Sequence, residues 1–417
     1  MSASYVIIGD GIAGSSAAEA IHEEAPDADI TVLTDEGETL YNRILIKEYA
    51  KGKLPEAPIS IHDPEWYDER DIDIQLNTLV TRINPDAHTV ETHEGTEIEY
   101  DKLLVAAGGT PNDLPVENAD ADGVHHFWTF EDARRIREHA EAADTGVVVG
   151  AGLLGIDLAA ICGGQDVDAK YLMRGNRWWR YALSEAGAEI IHEGLREKGV
   201  EPVFESGVDH FEVDDDGALA AAVDGNGVRH DADFAGVAIG LDFNVEILQD
   251  TDATIENGVH VDEYMRTEVD DIYAAGDITQ YWDTILDERA QNGSWGSAKQ
   301  QGALAGRTML ADSGHDVEIE PFRWVSSYSI THFDFPFLSF GFPTIGDETC
   351  ERSYGDNEWR RLAFKDGQLV GGVLIGNLAP QSKYKQLIKE EAVVADQQDV
   401  LLQDNFEMDE LGAATQQ

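Results

Sequence analysis

Short apolar runs punctuated by glycine set the rhythm of the first three hundred residues. "YVIIGDGIAGSSAAEAI", from Tyr5, places four strand-like residues before a glycine-rich turn and small residues at helical spacing after it. "GVVVGAGLLGIDLAAI", from Gly146, repeats the arrangement. A further strand pattern follows each: "ADITVLTDEGE" after the first and "DAKYLM" after the second. Alternation of strand and helix patterns predicts an α/β architecture. Between the repeats, "TLVTRINPDAHTVETHEGTEIEYDKLLVAAGG" reads as short strands broken by Pro, Asp and Gly, and "TFEDARRIREHAEAA" as a helix with charged faces. "VDDIYAAGDIT" predicts a short apolar strand, and "SAKQQGALAGRTML" a helix of small and apolar residues. From about Pro321 the pattern becomes β-like. "SYSITHFDFPFLSFG" and "WRRLAFKDGQLVGGVLIG" alternate, and the latter turns at Asp-Gly, which predicts a hairpin. The last stretch is acidic and Gln-rich, and poor order is expected there.

The two repeats share the spacing G-x-G-x-x-G: Gly9, Gly11 and Gly14, then Gly150, Gly152 and Gly155. The first glycine permits a tight turn, the second lets a pyrophosphate approach the backbone, and the third lets helix and strand pack closely. The anion then rests on the helix N-terminus. One such motif is a weak signal; two, each following a strand and opening a helix, predict two dinucleotide sites. Glu36 lies 22 positions after Gly14, at the end of the next strand, where a ribose-binding carboxylate belongs. The expected fold class is α/β: two Rossmann-like three-layer domains, one inserted in the other, plus a small α+β C-terminal domain. The expected boundaries are 1–110 with 237–315 for the first domain, 111–236 for the second, 316–400 for the third and 401–417 for an acidic tail.

Charge narrows the partners. The 417 residues hold 82 Asp plus Glu against 29 Lys plus Arg, a formal net charge of -53. With 42% hydrophobic residues this acidity is not the mark of a disordered chain. It repels nucleic acid and anionic lipid, so neither is an expected partner. It suits a salt-rich cytoplasm, where screening shortens to about 3 Å near 1 M salt, and a halophile is the expected source. Cys162 and Cys350, the only cysteines, form no CxxC pair, so no dithiol or cysteine-rich metal site is expected. A metal site of any kind is not expected. No apolar run reaches the ~18 residues of a membrane span, and the chain opens directly on "SYVIIGD" without a signal-peptide pattern. A cytoplasmic location is the expectation.

The collinear stretches "VIIGDGIAGSSAAE", "LYNRILIKEYAKG", "WYDERDIDI", "YDKLLVAAGGTP", "GVHHFWTFEDARRI", "VVVGAGLLGIDLAA", "IYAAGDIT" and "SWGSAKQQGALAGR" resemble the FAD-dependent pyridine nucleotide-disulfide oxidoreductases of the glutathione-reductase-like fold. Within them the chain is most similar to the branch holding the flavin domain of NAD(P)H nitrite reductases, the electron-transfer subunit of assimilatory nitrate reductases, and rubredoxin reductases. The resemblance implies that Gly9, Gly11, Gly14 and Glu36 hold the ADP half of FAD. It places Arg43 at the FAD pyrophosphate or flavin edge, and a guanidinium suits phosphate. Val80 would set backbone groups against adenine. Gly276 and Asp277 would form a second FAD fingerprint, and Trp295 would lie near the flavin. Asp157 stands where the family has Glu, beside the nicotinamide. Lys47 is a candidate near the flavin, one position before the family's lysine, where this chain has Glu48.

The second repeat differs from the first at one telling point. Its following strand, "DAKYLM", ends at Met173 without the expected carboxylate, and Arg174 and Arg177 come next. A missing acid with arginines in its place suits the 2′-phosphate of NADPH, so NADPH is favoured over NADH at Gly150, Gly152, Gly155, Arg174 and Arg177. The adjacent Trp178 and Trp179 are expected to pack. No cysteine lies in "YNRILIKEY", so disulfide or peroxide reduction is not expected. The expected activity is hydride transfer from NAD(P)H to FAD, then electron release to a redox protein such as a rubredoxin, a ferredoxin or a nitrite or nitrate reductase. Open alternatives are an NAD(P)H oxidase using oxygen or quinone, and a non-enzymatic flavin-binding partner with a drifted nicotinamide site. A homodimer is compatible with this reading.

Overall fold

A computed structural model describes residues 3–411. They form two compact units, one from residues 3–42, 60–110 and 242–326, the other from 43–59, 111–241 and 327–411.

The first unit is built on a five-stranded parallel sheet in the order Ile272–Ala274, Lys102–Val105, Ser4–Ile8, Asp29–Leu33, Ile72–Gln75. Its central strand is the "YVII" run, and Tyr5, Val6, Ile7 and Ile8 are all buried. Helices Ile12–Glu24 and Trp295–Asp312 pack against each other through small residues. A Cβ added at Gly302 or Gly306 would run into the backbone of Ala13 or Ala17, so the helices meet backbone to backbone. That contact accounts for the Ala/Gly/Ser composition of both. The predicted alternating stretch becomes a small antiparallel sheet of Val80–Asn84, Thr89–Thr92 and Glu97–Glu99.

In the second unit a parallel sheet runs Val200–Phe204, Asp168–Met173, Thr145–Val149, Phe234–Val237, Val124–His126. The same unit contains the C-terminal antiparallel sheet, ordered 327–330, 337–341, 368–375, 358–365, 348–355. Its predicted hairpin is present. Asp366 and Gly367 both have positive φ, 51° and 82°, the requirement of a two-residue type I′ turn. Trp359, fully buried on that sheet, lies flat where a Cβ on Gly187 of helix Glu185–Glu197 would stand, so only glycine fits there.

Three features differ from expectation. The C-terminal sheet, expected within a third domain from residue 316, belongs to the second unit. Residues 43–59, which the sequence reading put with the first domain, belong to the second unit: Gln165 Nε2 donates to the Ala50 carbonyl (3.0 Å), and Arg137 Nη1 to that of Leu54 (3.2 Å). The expected loose tail is packed over residues 401–411. Leu401, Leu402, Phe406 and Leu411 are buried, and the fully buried Arg360 donates to the carbonyls of Gln403 (2.8 Å) and Asp404 (3.1 Å). Apolar residues interleaved with the acids supply that packing. The rest of the expected tail, 412–417, lies outside the described residues. Among those residues no helix is long and apolar enough to cross a membrane.

Candidate nucleotide sites

Each glycine motif sits where its strand ends and its helix begins, and the three glycines divide the work in the same way. A Cβ at Gly9 would strike the Ala106 carbonyl, and one at Gly14 would strike Gly9 itself. In the second motif, Gly150 faces the Ala238 carbonyl and Gly155 faces Gly150, again too closely for any Cβ. The middle glycines are different: around Gly11 and Gly152 a Cβ would meet nothing within 4 Å. Each turn is therefore closed by protein at its first and third glycines and open at its second. The helix ends agree. Gly11 and Gly152 are the N-caps of helices Ile12–Glu24 and Leu153–Gly164, with no side-chain cap and no acid in the first turn. Asp63, Thr129, Ser184 and Ser294 do cap theirs. Open backbone and uncapped N–H groups at a helix N-terminus fit a pyrophosphate.

In the first unit the two proposed FAD fingerprints leave the parallel sheet at the same end. Strands Ser4–Ile8 and Ile272–Ala274 are parallel, so the Gly9 turn and the Gly276–Asp277 turn leave from the same end. Gly276 approaches helix Ile12–Glu24, where its Cβ would stand 3.2 Å from Ala13. Its N–H donates to Gln301 Oε1 at 2.8 Å. Half-buried Glu36 follows strand Asp29–Leu33 and accepts from the Tyr41 hydroxyl at 2.6 Å. Val80 is buried at the start of its strand, and Trp295 opens helix Trp295–Asp312 half-exposed. Arg43 lies in the second unit, where its guanidinium donates to the Trp128 carbonyl (2.7 Å) and stacks over that indole.

Asp10, within the first turn, has no role in the glycine motif. It is buried, and both carboxyl oxygens lie within 2.8 Å of the Tyr67 hydroxyl. Burial lifts its pKa to about 7, against the hydrogen bonds of Tyr67 and the Leu40 backbone; Glu36 adds to the rise. An acid between two glycines was visible in "GDGIAG", but its partner 57 residues away was not.

In the second unit Asp157, on helix Leu153–Gly164, anchors a buried polar chain. Lys47 Nζ lies 3.3 Å from its Oδ1, His332 Nε2 2.5 Å from the same oxygen, and the Tyr328 hydroxyl 3.1 Å from Oδ2. Lys51 Nζ contacts His332 Nδ1 (2.8 Å) and Glu48 (2.9 Å). Lys51 can only donate, so His332 accepts at Nδ1 and carries its proton on Nε2, toward Asp157. Two ammonium and two carboxylate groups then balance around a neutral imidazole. Burial opposes the charge on Asp157, but the His332 hydrogen bond and Lys47 outweigh it and hold the carboxyl below its ordinary range. Burial keeps His332 low despite Asp157. The shorter acid at 157 thus still reaches Lys47. His332 and Tyr328 had no local signal in the sequence.

The arginine loop after strand Asp168–Met173 is fastened to the second glycine turn. Trp178 is fully buried and donates from Nε1 to the Gly152 carbonyl (3.2 Å), while the Trp179 N–H donates to Ala151 (3.2 Å). Packing was the expected role of this pair. Arg177 directs its guanidinium at its own loop, to Leu183 O (2.8 Å), Asn176 Oδ1 (3.1 Å) and Arg180 O (3.2 Å). Arg174 is exposed, its side chain passing over Gly207. Cys162 and Cys350 are buried and unpaired, and burial pushes both thiols up to about 12, far from thiolate chemistry.

Residues 3–302 match the family described as pyridine nucleotide-disulphide oxidoreductase. Rhodocoxin reductase of Rhodococcus erythropolis is 32% identical over 279 residues, covering 67% of this chain and 65% of that protein. The NAD(P)H nitrite reductase of Bacillus subtilis is 24% identical over 396 residues, 94% of this chain and 48% of its own length. This chain thus matches less than two thirds of either relative. Among solved structures, the covalent putidaredoxin reductase–putidaredoxin complex aligns with a TM-score of 0.87 at 23% identity, over 94% of both chains. With both glycine turns inside the matched region, the chain belongs to the pyridine nucleotide-disulphide oxidoreductases, a family of FAD-dependent NAD(P)H oxidoreductases.

Proposed function

We propose that this chain is an NAD(P)H-dependent flavoprotein that delivers electrons to a redox protein without a redox-active disulfide. The observation that carries the reading is the pair of glycine turns, each closed at its first and third glycines and open at its second. FAD, when bound, supplies the exchange of a hydride from NAD(P)H for electrons passed onward. Gly9, Gly11, Gly14, Glu36, Gly276 and Asp277 are proposed to hold FAD, with Val80 and Trp295 at its adenine and flavin ends. Gly150, Gly152 and Gly155 are proposed to hold the nicotinamide nucleotide. Buried, unpaired cysteines support a route that uses no thiol. The relatives' names support a redox-protein acceptor: a rhodocoxin reductase, a nitrite reductase, and a reductase captured with putidaredoxin.

The nucleotide is proposed to be NADPH. Met173 ends the strand where a ribose-binding acid would repel a 2′-phosphate, and exposed Arg174 follows it. Arg177, engaged with its own loop, is proposed to shape that loop rather than lead the phosphate contact. Anaerobic titration in high salt tests the whole reading. Flavin should co-purify and bleach with NADPH at lower concentration than with NADH. Reoxidation by a rubredoxin or ferredoxin should outpace reoxidation by oxygen. A preparation without flavin, or flavin that neither nucleotide bleaches, overturns the proposal.

A further inference from the structure

We propose that Asp10 enters the flavin site as a neutral carboxylic acid, so that FAD binding takes up one proton. The inference rests on the first glycine turn being the site of the flavin's diphosphate.

Asp10 stands between Gly9 and Gly11, in the turn that would face the diphosphate's charge, and it is 7% exposed. An ordinary anion-binding turn brings N–H groups and a helix dipole to bear on its ligand. A carboxylate in the same turn would oppose both. The contacts of Asp10 supply no countercharge. The Tyr67 hydroxyl, from helix Pro64–Asp68, lies 2.8 Å from Oδ1 and 2.7 Å from Oδ2. One phenol proton must serve both contacts if the acid is ionised; a proton on the carboxyl, donated back to the phenol oxygen, satisfies the second.

The surrounding charges point the same way. Glu36, which follows the neighbouring strand, acts on Asp10 as a second negative group, while the hydrogen bonds from Tyr67 and the Leu40 backbone pull the other way. His62, beside Tyr67 and bonded to Ser15 Oγ at 3.0 Å, is held down to about 4 by burial, with Arg70 and Lys299 adding and Asp63 opposing, so it is neutral at ordinary pH. Among the described residues no lysine, arginine or histidine forms an ion pair with the Asp10 carboxyl. Burial, with Glu36 adding and the hydrogen bonds of Tyr67 and the Leu40 backbone opposing, brings this acid to the edge of neutrality, at about 7. A bound diphosphate adds to the push, as any nearby like charge does. Below about pH 7 the turn is ready for its ligand; above it, a proton from solvent must accompany FAD.

The test is FAD binding to flavin-stripped full-length protein in high salt, followed by quenching of flavin fluorescence from about pH 6 to about pH 9. Proton uptake on binding is read in weak buffer at about pH 8. Wild-type affinity is expected to weaken about tenfold per pH unit once Asp10 ionises, because only the protonated fraction is competent. Asp10→Asn should bind with little pH dependence, and its proton uptake should vanish. Tyr67→Phe removes the group both oxygens touch, so it should move the pH at which affinity breaks. Simple damage to the turn would instead lower affinity equally at every pH. Equal pH slopes in wild type and Asp10→Asn, or binding without proton uptake, overturn the inference while leaving the flavin site standing. Failure of FAD to bind at any pH overturns the flavin assignment together with it.

Discussion

Two single-atom-scale changes in one turn should have opposite consequences. In Gly155→Ala the new Cβ would stand 2.5 Å from the Tyr171 hydroxyl and closer still to the Gly150 carbonyl. Both neighbours are held, one by a buried strand and the other by the turn itself. Helix Leu153–Gly164 must therefore shift off its sheet, an overpacking cost of about 1–3 kcal/mol. In Gly152→Ala the Cβ meets no protein atom within 4 Å, and the backbone there is extended with negative φ, which alanine adopts freely. Stability should stay within about 1 kcal/mol of wild type, as lost cap preference and reduced unfolded-state freedom roughly offset. The space that Cβ occupies is the space proposed for the pyrophosphate. Displacing it forfeits charge-assisted hydrogen bonds of about 1.5–3 kcal/mol, or roughly 10- to 150-fold in Kd. Thermal unfolding and anaerobic nucleotide titration on the same preparations separate the two effects. If Gly152→Ala melts as early as Gly155→Ala, or binds nucleotide as tightly as wild type, the division of labour among the glycines is wrong.

Arg174→Glu should raise KM for NADPH by roughly 10- to 100-fold with little change for NADH, whereas Arg177→Lys should act mainly on stability; steady-state kinetics with both nucleotides decides, and equal losses for both would refute the phosphate role. Asp157→Ala strands Lys47 in a buried site and should cost about 3–5 kcal/mol in urea unfolding, a penalty that an unchanged midpoint would contradict. His62 and His125, both held down to about 4 chiefly by burial, bind protons more readily when unfolded, so their contribution to stability is complete above about pH 6.5 and declines as pH falls toward 4. Melting temperatures that hold level across that window would argue against it. With a net charge of -53, the melting temperature should climb as KCl rises from about 0.1 M to about 2 M, and a flat profile would count against a salt-adapted surface.

Much of this protein is a matter of local pattern. An apolar run, three glycines at fixed spacing and a small-residue helix need only neighbouring residues to declare themselves, because turn geometry and strand-to-helix packing act over a dozen positions. The missing acid after Met173, the Asp366–Gly367 hairpin and the absence of a cysteine in "YNRILIKEY" are legible for the same reason. Tertiary packing alone decided the rest. It placed residues 43–59 with the second unit, so that Lys47 meets Asp157 across 110 residues and His332 reaches the same carboxylate across 175. It directed Arg177 to the carbonyls of its own loop and set Tyr67 against Asp10. Such contacts follow from which faces bury together and how much water they exclude. Desolvation is a property of the assembled interior, and no spacing along the chain encodes it.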